Sequence, residues 1–252
     1  MAAPAPPPKP FPWQTCLDIE GQEGGHYHDY VNVGLFDVIS GTPRRVLELG
    51  CAGGMFGLKL KEKFPGTTVV GIEPGRAAAA VAATRLDRVI NRRLEDVDFA
   101  AEGLEPATFD TMIAADVLEH LANPWRELVR VRPLLVPDAQ LVASIPNVRN
   151  VALLANALVN GQWRYGERGL LDITHLRFFT LGEIARLFEE TGYRLEGYAA
   201  NVSPGLIELW SQNKDRDSAS ITLGRLTLAD VRRAELVELC AEQFLVRARP
   251  QG

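Results

Sequence analysis

Cysteine is scarce in this chain. Its 252 residues hold three, Cys16, Cys51 and Cys240, far apart and without a Cys-x-x-Cys pair. That spacing gives no disulfide framework and no zinc knuckle, and it fits a reducing compartment. No apolar run reaches the roughly 18 residues needed to cross a membrane, and the start lacks the basic-then-apolar plan of a secretory leader. Basic runs are missing too: 27 Lys and Arg stand against 32 Asp and Glu, for a formal net charge of −5. A protein that tracks nucleic-acid phosphates is therefore disfavoured. Four histidines occur, and the His26-x-His28 pair has no third ligand at a helpful spacing, so no metal is expected. These absences leave a soluble, cytoplasmic protein as the expectation, with no nucleic-acid and no membrane partner.

What is present suffices for a large core, since 46% of residues are hydrophobic and 23% charged. Residues 1–25 begin in proline and alanine and read as a loosely attached lead-in; residues 26–248 read as one domain. The organising stretch is Arg45 to Gly57, a short aliphatic run passing through Gly50-Cys51-Ala52-Gly53-Gly54 into the amphipathic Leu58 to Phe64. Strand, tight small-residue turn and helix start is the arrangement that lets backbone approach a ligand closely. The dinucleotide fingerprint fails here, because its third and sixth positions, counted from Gly50, are Ala52 and Met55. The lysine and hydroxyl of a phosphate-binding P-loop are absent as well.

Further strands follow at Thr67 to Ile72, Arg88 to Asn91, Phe109 to Asp116 and Gln140 to Ile145, with Val136 to Ala139 as a turn. Helices separate them, which predicts a doubly wound α/β sheet with its ligand at the carboxyl ends of the strands. Gly50, Glu73, Leu94, Asp116 and Asn147 all fall at such ends. Glu73 lies about 20 residues past the glycine turn, where a βαβ unit places an acid beside a ribose. Asn123 and Pro124 are suited to start the helix after the fourth strand.

Glu48 with Gly50-x-Ala52-x-Gly54 resembles motif I of the class I S-adenosylmethionine (SAM)-dependent methyltransferases, with Ala52 in place of their middle glycine. Asp116-Val117-Leu118-Glu119-His120-Leu121 resembles their motif IV and is the most specific match in the chain. The resemblance implies a mostly parallel, seven-stranded Rossmann-like sheet with helices on both faces and an antiparallel last strand. It implies SAM as cofactor, with S-adenosyl-L-homocysteine (SAH) as product. The implied cofactor-binding residues are Tyr27, Glu48, Gly50, Cys51, Ala52, Gly54, Glu73, Leu94, Glu95, Asp116 and Val117. In this family an acid just past the third strand contacts adenine; Arg93 stands at that position, so Glu95, Asp96 or the Leu94 backbone serves instead. Tyr27 and its neighbours either fold over the ligand or form a plain surface helix.

Residues 149–179 form an insertion beyond a minimal domain, with a helix from Val151 to Asn160. Its string Gly169-Leu170-Leu171-Asp172-Ile173-Thr174-His175-Leu176-Arg177-Phe178-Phe179-Thr180 is similar to methyltransferases of bacterial surface-glycan and natural-product pathways. That similarity implies a small-molecule or glycan-linked methyl acceptor. Thr180 and Glu183 read as a capping box for the helix from Leu181 to Thr191. The sixth and seventh strands are expected at Tyr193 to Ala199 and Glu242 to Arg247. The excursion 203–240 between them is expected to hold a polar loop at Asn213 to Ser220 and a helix from Leu228 to Leu239, capped by Thr227 and Asp230. It either covers the acceptor site or packs against a second subunit of a homodimer.

For a hydroxyl acceptor, His120 and His175 are the candidate catalytic bases, since neutral imidazole suits that role near pH 7. Asp116 is the weaker candidate. No acidic cluster of the magnesium-dependent catechol type appears. Three other readings are a non-catalytic SAM-fold regulatory protein, a methyltransferase with a protein acceptor, and a nicotinamide oxidoreductase.

Overall fold

The computed structural model describes residues 31–251. A one-turn helix α1 (Leu35–Val38) precedes β1 (Arg45–Leu49), α2 (Met55–Lys63), β2 (Thr68–Ile72), α3 (Arg76–Ala82) and β3 (Arg88–Ile90). Then come β4 (Phe109–Ala115), α4 (Pro124–Val131), β5 (Leu135–Pro146), α5 (Val151–Asn160), α6 (Leu181–Glu190) and β6 (Tyr193–Val202). The chain closes with α7 (Ile207–Asn213), β7 (Ser218–Leu223), β8 (Leu226–Arg232), α8 (Arg233–Cys240) and β9 (Ala241–Pro250).

Seven strands share one sheet in the order β3-β2-β1-β4-β5-β9-β6. β9 is antiparallel to both of its neighbours, and the pairings among β1 to β5 are parallel. The expected fold is thus the observed one. Alternation along the strands decides the two faces. Leu47, Met112, Ala114, Leu141 and Ala143 pack on one side with Leu128 of α4 and Ile184, Leu187 and Phe188 of α6. Val46, Ile113 and Val142 pack on the other with Leu35 of α1, Phe56 and Leu60 of α2 and Ala82 of α3. Strand order reverses between β1 and β4, so a crevice opens at their carboxyl ends.

Three expectations need correction. Residues Val136 to Ala139 lie within β5 instead of forming a turn before it. Phe109 pairs with Leu135 but Thr111 with Gln140, so the sheet absorbs the extra residues as an irregularity. β6 and β9 each run longer than expected. The largest difference is in the excursion. Ser218 to Arg232 is a β-hairpin, not a polar loop followed by a helix, and α8 begins only at Arg233. Ile221, Leu226, Leu228 and Val231 alternate onto a small core with Leu236, Leu239 and Val151 of α5. Gly224, at φ +59°, makes the tight turn. Periodicity of 2 won over the apparent helix cap at Thr227.

Close approach at β2 gives a test. A Cβ on Gly71 would lie 2.5 Å from Cys51 Sγ and 2.9 Å from Leu86 Cδ1. Gly71→Ala is expected to destabilise the domain by about 1–3 kcal/mol through overpacking, read as a lowered urea midpoint. An unchanged midpoint contradicts this packing.

Candidate active site

The turn after β1 is held in an uncommon shape. Gly50, Ala52 and Gly54 all have positive φ, at +59°, +45° and +74°. For Ala52 that conformation is strained by about 1–2 kcal/mol, and a neighbouring carboxylate over-determines it. Glu73 Oε2 accepts from the Ala52 N–H at 2.9 Å, and its Oε1 accepts from the Gly75 N–H at 2.7 Å. The acid that ends β2 therefore fixes the turn that ends β1. Asn91, past β3, donates to the Glu73 carbonyl oxygen at 2.8 Å. Gly50 packs beneath Val117: a Cβ there would meet Val117 Cγ2 at 2.7 Å.

Glu48 is buried on the α2 side of the sheet, with a hydrogen bond from the Gly57 backbone. Burial, opposed by that bond and reinforced by Glu73, pushes its carboxyl up from 4.5 to about 8. Cys51 is buried as well, and burial raises its thiol beyond the usual range. It reads as packing under the turn. Leu94 is buried in a short 3₁₀ turn, Leu94–Asp96. Arg130 of α4 ties that turn down, donating to the carbonyls of Leu94 at 3.2 Å, Glu95 at 3.3 Å and Val97 at 2.6 Å. Tyr27 lies outside the described residues, as do His26 and His28.

Asp116 follows β4 at φ +55°. Its N–H donates to the Ser144 hydroxyl oxygen at 3.0 Å, and its Oδ1 accepts from Gln243 Nε2 at 2.7 Å. Burial raises its carboxyl to about 6 against the opposing bonds from Ser144 and Gln243. Gln243 Oε1 in turn accepts from Asn32 at 2.6 Å and Asn201 at 3.0 Å. This amide network joins Asn32, β6 and β9 to the residue just after β4. Sequence reasoning missed Asn32, Asn201 and Gln243 because none of the three sits in a recognisable motif.

Beyond Asp116 the chain turns through Leu118–His120, and the insertion folds onto this turn. The N–H groups of Leu176 and Arg177 donate to the Glu119 carbonyl at 2.8 and 3.0 Å, and Arg177 also bonds the Ala122 carbonyl. His120 and His175, 55 positions apart, come to an edge-to-face contact with ring centroids 4.7 Å apart. His120 Nδ1 lies 3.0 Å from Thr174 Oγ1, which donates to Asp172 Oδ1 at 2.6 Å. His175 Nδ1 lies 3.3 Å from the Leu170 carbonyl oxygen. Burial, then the second imidazole, lowers His120 to about 4, and burial lowers His175. Both rings are neutral at pH 7. Phe178 stands 6.5 Å from His175 and 6.1 Å from Trp163, and both aromatics remain partly exposed. Glu119 is buried between these groups at 1% exposure, and burial, then Asp116, raises its carboxyl well above the ordinary range.

Comparison with known proteins follows the same lines. Residues 26–197 match the family model of a methyltransferase domain. A ubiquinone biosynthesis O-methyltransferase of Nitrobacter winogradskyi is 31% identical over 185 residues, covering 69% of this chain and 65% of the relative. The Xanthomonas euvesicatoria protein of the same name is 30% identical, covering 73% of this chain and 75% of the relative. Among solved structures, the plantazolicin methyltransferase BpumL in complex with SAH superimposes with a TM-score of 0.55 at 13% identity, covering 87% and 80% of the two chains.

Glu48 makes a pH-dependent prediction. Between its ordinary value of 4.5 and about 8, the folded chain holds a proton that the unfolded chain has lost. The stability linked to this group is full at low pH and falls as pH rises through that window. Glu48→Gln removes the dependence. Urea denaturation at several pH values is expected to show the variant gaining on the parent as pH rises, whereas a constant difference contradicts the assignment.

Proposed function

The chain belongs to the class I SAM-dependent methyltransferases, and from that premise we propose that it methylates a hydroxyl of a small-molecule or glycan-linked acceptor seated against His120 and His175. The crevice suits the donor by the chemistry of its groups. Two carboxylates, Glu73 and Asp116, flank the Gly50–Gly54 turn; they would repel a pyrophosphate and favour a cationic nucleoside bearing a diol and an amino group. The turn and Asp116 would hold the amino-acid end, Glu73 the ribose, Val117 the flat face of the ligand, and the Leu94–Glu95 turn the base. A carboxylate has room for about four hydrogen bonds, so clamping the turn and receiving ribose hydroxyls are compatible roles for Glu73. When bound, the donor supplies an electrophilic methyl group and leaves as a neutral thioether.

The protein's part is alignment, dehydration and disposal of the acceptor's proton. The observation that carries the hydroxyl reading is the wall that the insertion and the turn after β4 build together beside Asp116. It consists of two neutral imidazoles with Phe178 and Trp163 next to them. Neutral imidazole accepts a proton from a hydroxyl, and flat aromatic faces receive a sugar or a planar ring. Oxygen as the accepting atom is also supported by the names of the relatives, which are O-methyltransferases. A panel of ring hydroxyls and saccharides, assayed for SAH release, tests the reading; turnover on amines alone would contradict it.

Two variants separate donor from acceptor. Glu73→Ala is expected to weaken SAH binding by roughly 1.5–3 kcal/mol, by calorimetry, through lost charge-assisted bonds. His120→Ala and His175→Ala are expected to lower turnover by roughly 10²–10⁴ while sparing SAH affinity. Full activity in one of them removes that residue from the proton's path.

A further inference from the structure

The two imidazoles beside Asp116 have different surroundings, and the difference separates their roles. His120 Nδ1 lies 3.0 Å from Thr174 Oγ1 and 3.3 Å from the Thr174 carbonyl oxygen. Thr174 Oγ1 donates its proton to Asp172 Oδ1 at 2.6 Å, so toward the ring it acts as an acceptor. The carbonyl can only accept. Both neighbours of Nδ1 therefore require the hydrogen on that nitrogen, and Nε2 presents the lone pair. Among the described residues nothing hydrogen-bonds Nε2.

Asp172 is buried at 4% exposure, and the insertion folds so as to hold it in place. Its Oδ1 also accepts from the Thr174 N–H at 2.9 Å. Its own N–H donates to the Gly169 carbonyl at 3.0 Å, and its carbonyl accepts from the His175 N–H at 3.0 Å. A buried acid linked through one hydroxyl to a ring nitrogen fixes the tautomer and stabilises the ring once the other nitrogen is protonated. Burial, then His175, lowers the His120 value, and Asp172 works against both. His175 is backed differently. Its Nδ1 rests on the Leu170 carbonyl oxygen at 3.3 Å, and its Nε2 faces the buried Glu119 carboxyl, 3.9 Å from Oε1.

We propose that Asp172 and Thr174 are positioning residues that set His120, and not His175, as the base for the acceptor's hydroxyl. These roles rest on the hydroxyl reading above and deepen it. As the acceptor's oxygen gains the methyl group and the carbon–sulfur bond breaks, the hydroxyl proton passes to His120 Nε2. The positive charge of the sulfonium thus ends on the imidazole, and the thioether leaves neutral. The ring, now protonated at both nitrogens, directs its Nδ1–H through Thr174 at Asp172, and the extra proton leaves to water with the product. His175 keeps its place in the wall that receives the acceptor. Thr174 lies 54 positions from His120 and meets it because Leu176 and Arg177 tie the insertion to the Glu119 carbonyl.

The test labels the imidazole nitrogens of the full chain for long-range nitrogen–proton NMR, with His120 assigned by its loss in His120→Ala. A hydrogen on Nδ1 and a bare Nε2 are expected in the parent and in Thr174→Ser. Thr174→Val, which keeps the shape without the hydroxyl, should show a larger share of the other tautomer. A ring protonated at Nε2 in the parent, or a tautomer unchanged in Thr174→Val, overturns the proposal. Turnover is read on the hydroxyl of the acceptor panel that releases SAH fastest. Thr174→Val should lower it by about tenfold or more, and Thr174→Ser should recover most of that loss, with SAH affinity held in both. On a His120→Ala background Thr174→Val should cost nothing further, whereas a purely structural role would still lower turnover. Parent-like turnover in Thr174→Val, or the full further loss on that background, overturns the positioning role. The expected tautomer in a chain that methylates no hydroxyl keeps the setting of the ring and overturns the hydroxyl reading instead.

Discussion

The carboxyl edge of the sheet must keep four acids, Glu48, Glu73, Asp116 and Glu119, largely out of water, and the site is built around that constraint. Desolvating a carboxylate costs several kcal/mol unless it is protonated, hydrogen-bonded or paired with positive charge. The fold uses a different remedy at each position. Glu48 sits under α2 with its carboxyl pushed up to about 8, so it is mostly protonated at neutral pH. Glu73 takes two backbone N–H groups from turns on either side of it. Asp116 takes the Gln243 amide and the Ser144 hydroxyl. For Glu119 burial, then Asp116, raises the carboxyl well above its ordinary range, which favours the protonated form. Acids concentrated at one strand edge suit a cationic ligand and oppose a phosphate-bearing one, which connects the electrostatics of the crevice to the identity of the donor.

The insertion 149–179 folds onto the turn after β4, beside this crevice. Backbone bonds from Leu176 and Arg177 to Glu119 anchor it to the turn after β4, so His175 and Phe178 are positioned by the same turn that carries Asp116 and His120. Its far end is anchored differently. Asn150 caps α5, and Arg149 pairs with Glu238 of α8 at 2.6 Å. The hairpin and α8 pack on α5 at Val151, which sets the excursion against the insertion's helix.

Much of this was legible in the residues because the informative patterns are local. Gly50 to Gly54 after an aliphatic run, Glu73 one βα unit later and the Asp116 to Leu121 block each predict a strand end. Parallel topology then brings strand ends together without further information. The hairpin at Ser218 to Arg232 was misread because Thr227 and Asp230 resemble helix caps, while the alternation of Ile221, Leu226 and Leu228 gains meaning only against α5. Long-range pairs were invisible for a physical reason. The partners of Asp116 and His120 are Gln243, 127 positions away, and Thr174, 54 positions away, and nothing local marks an amide or a hydroxyl as a partner.

The central claim is that one edge of the sheet holds the methyl donor with its reactive group turned toward the imidazoles of His120 and His175. The most direct measurement is a crystal structure of the chain with SAH. The account places its ribose on Glu73, its amino-acid end in the Gly50–Gly54 turn beside Asp116, and its sulfur facing His120 and His175. A sulfur atom turned away from those two rings, or a nucleoside bound outside the β1–β4 crevice, would contradict it.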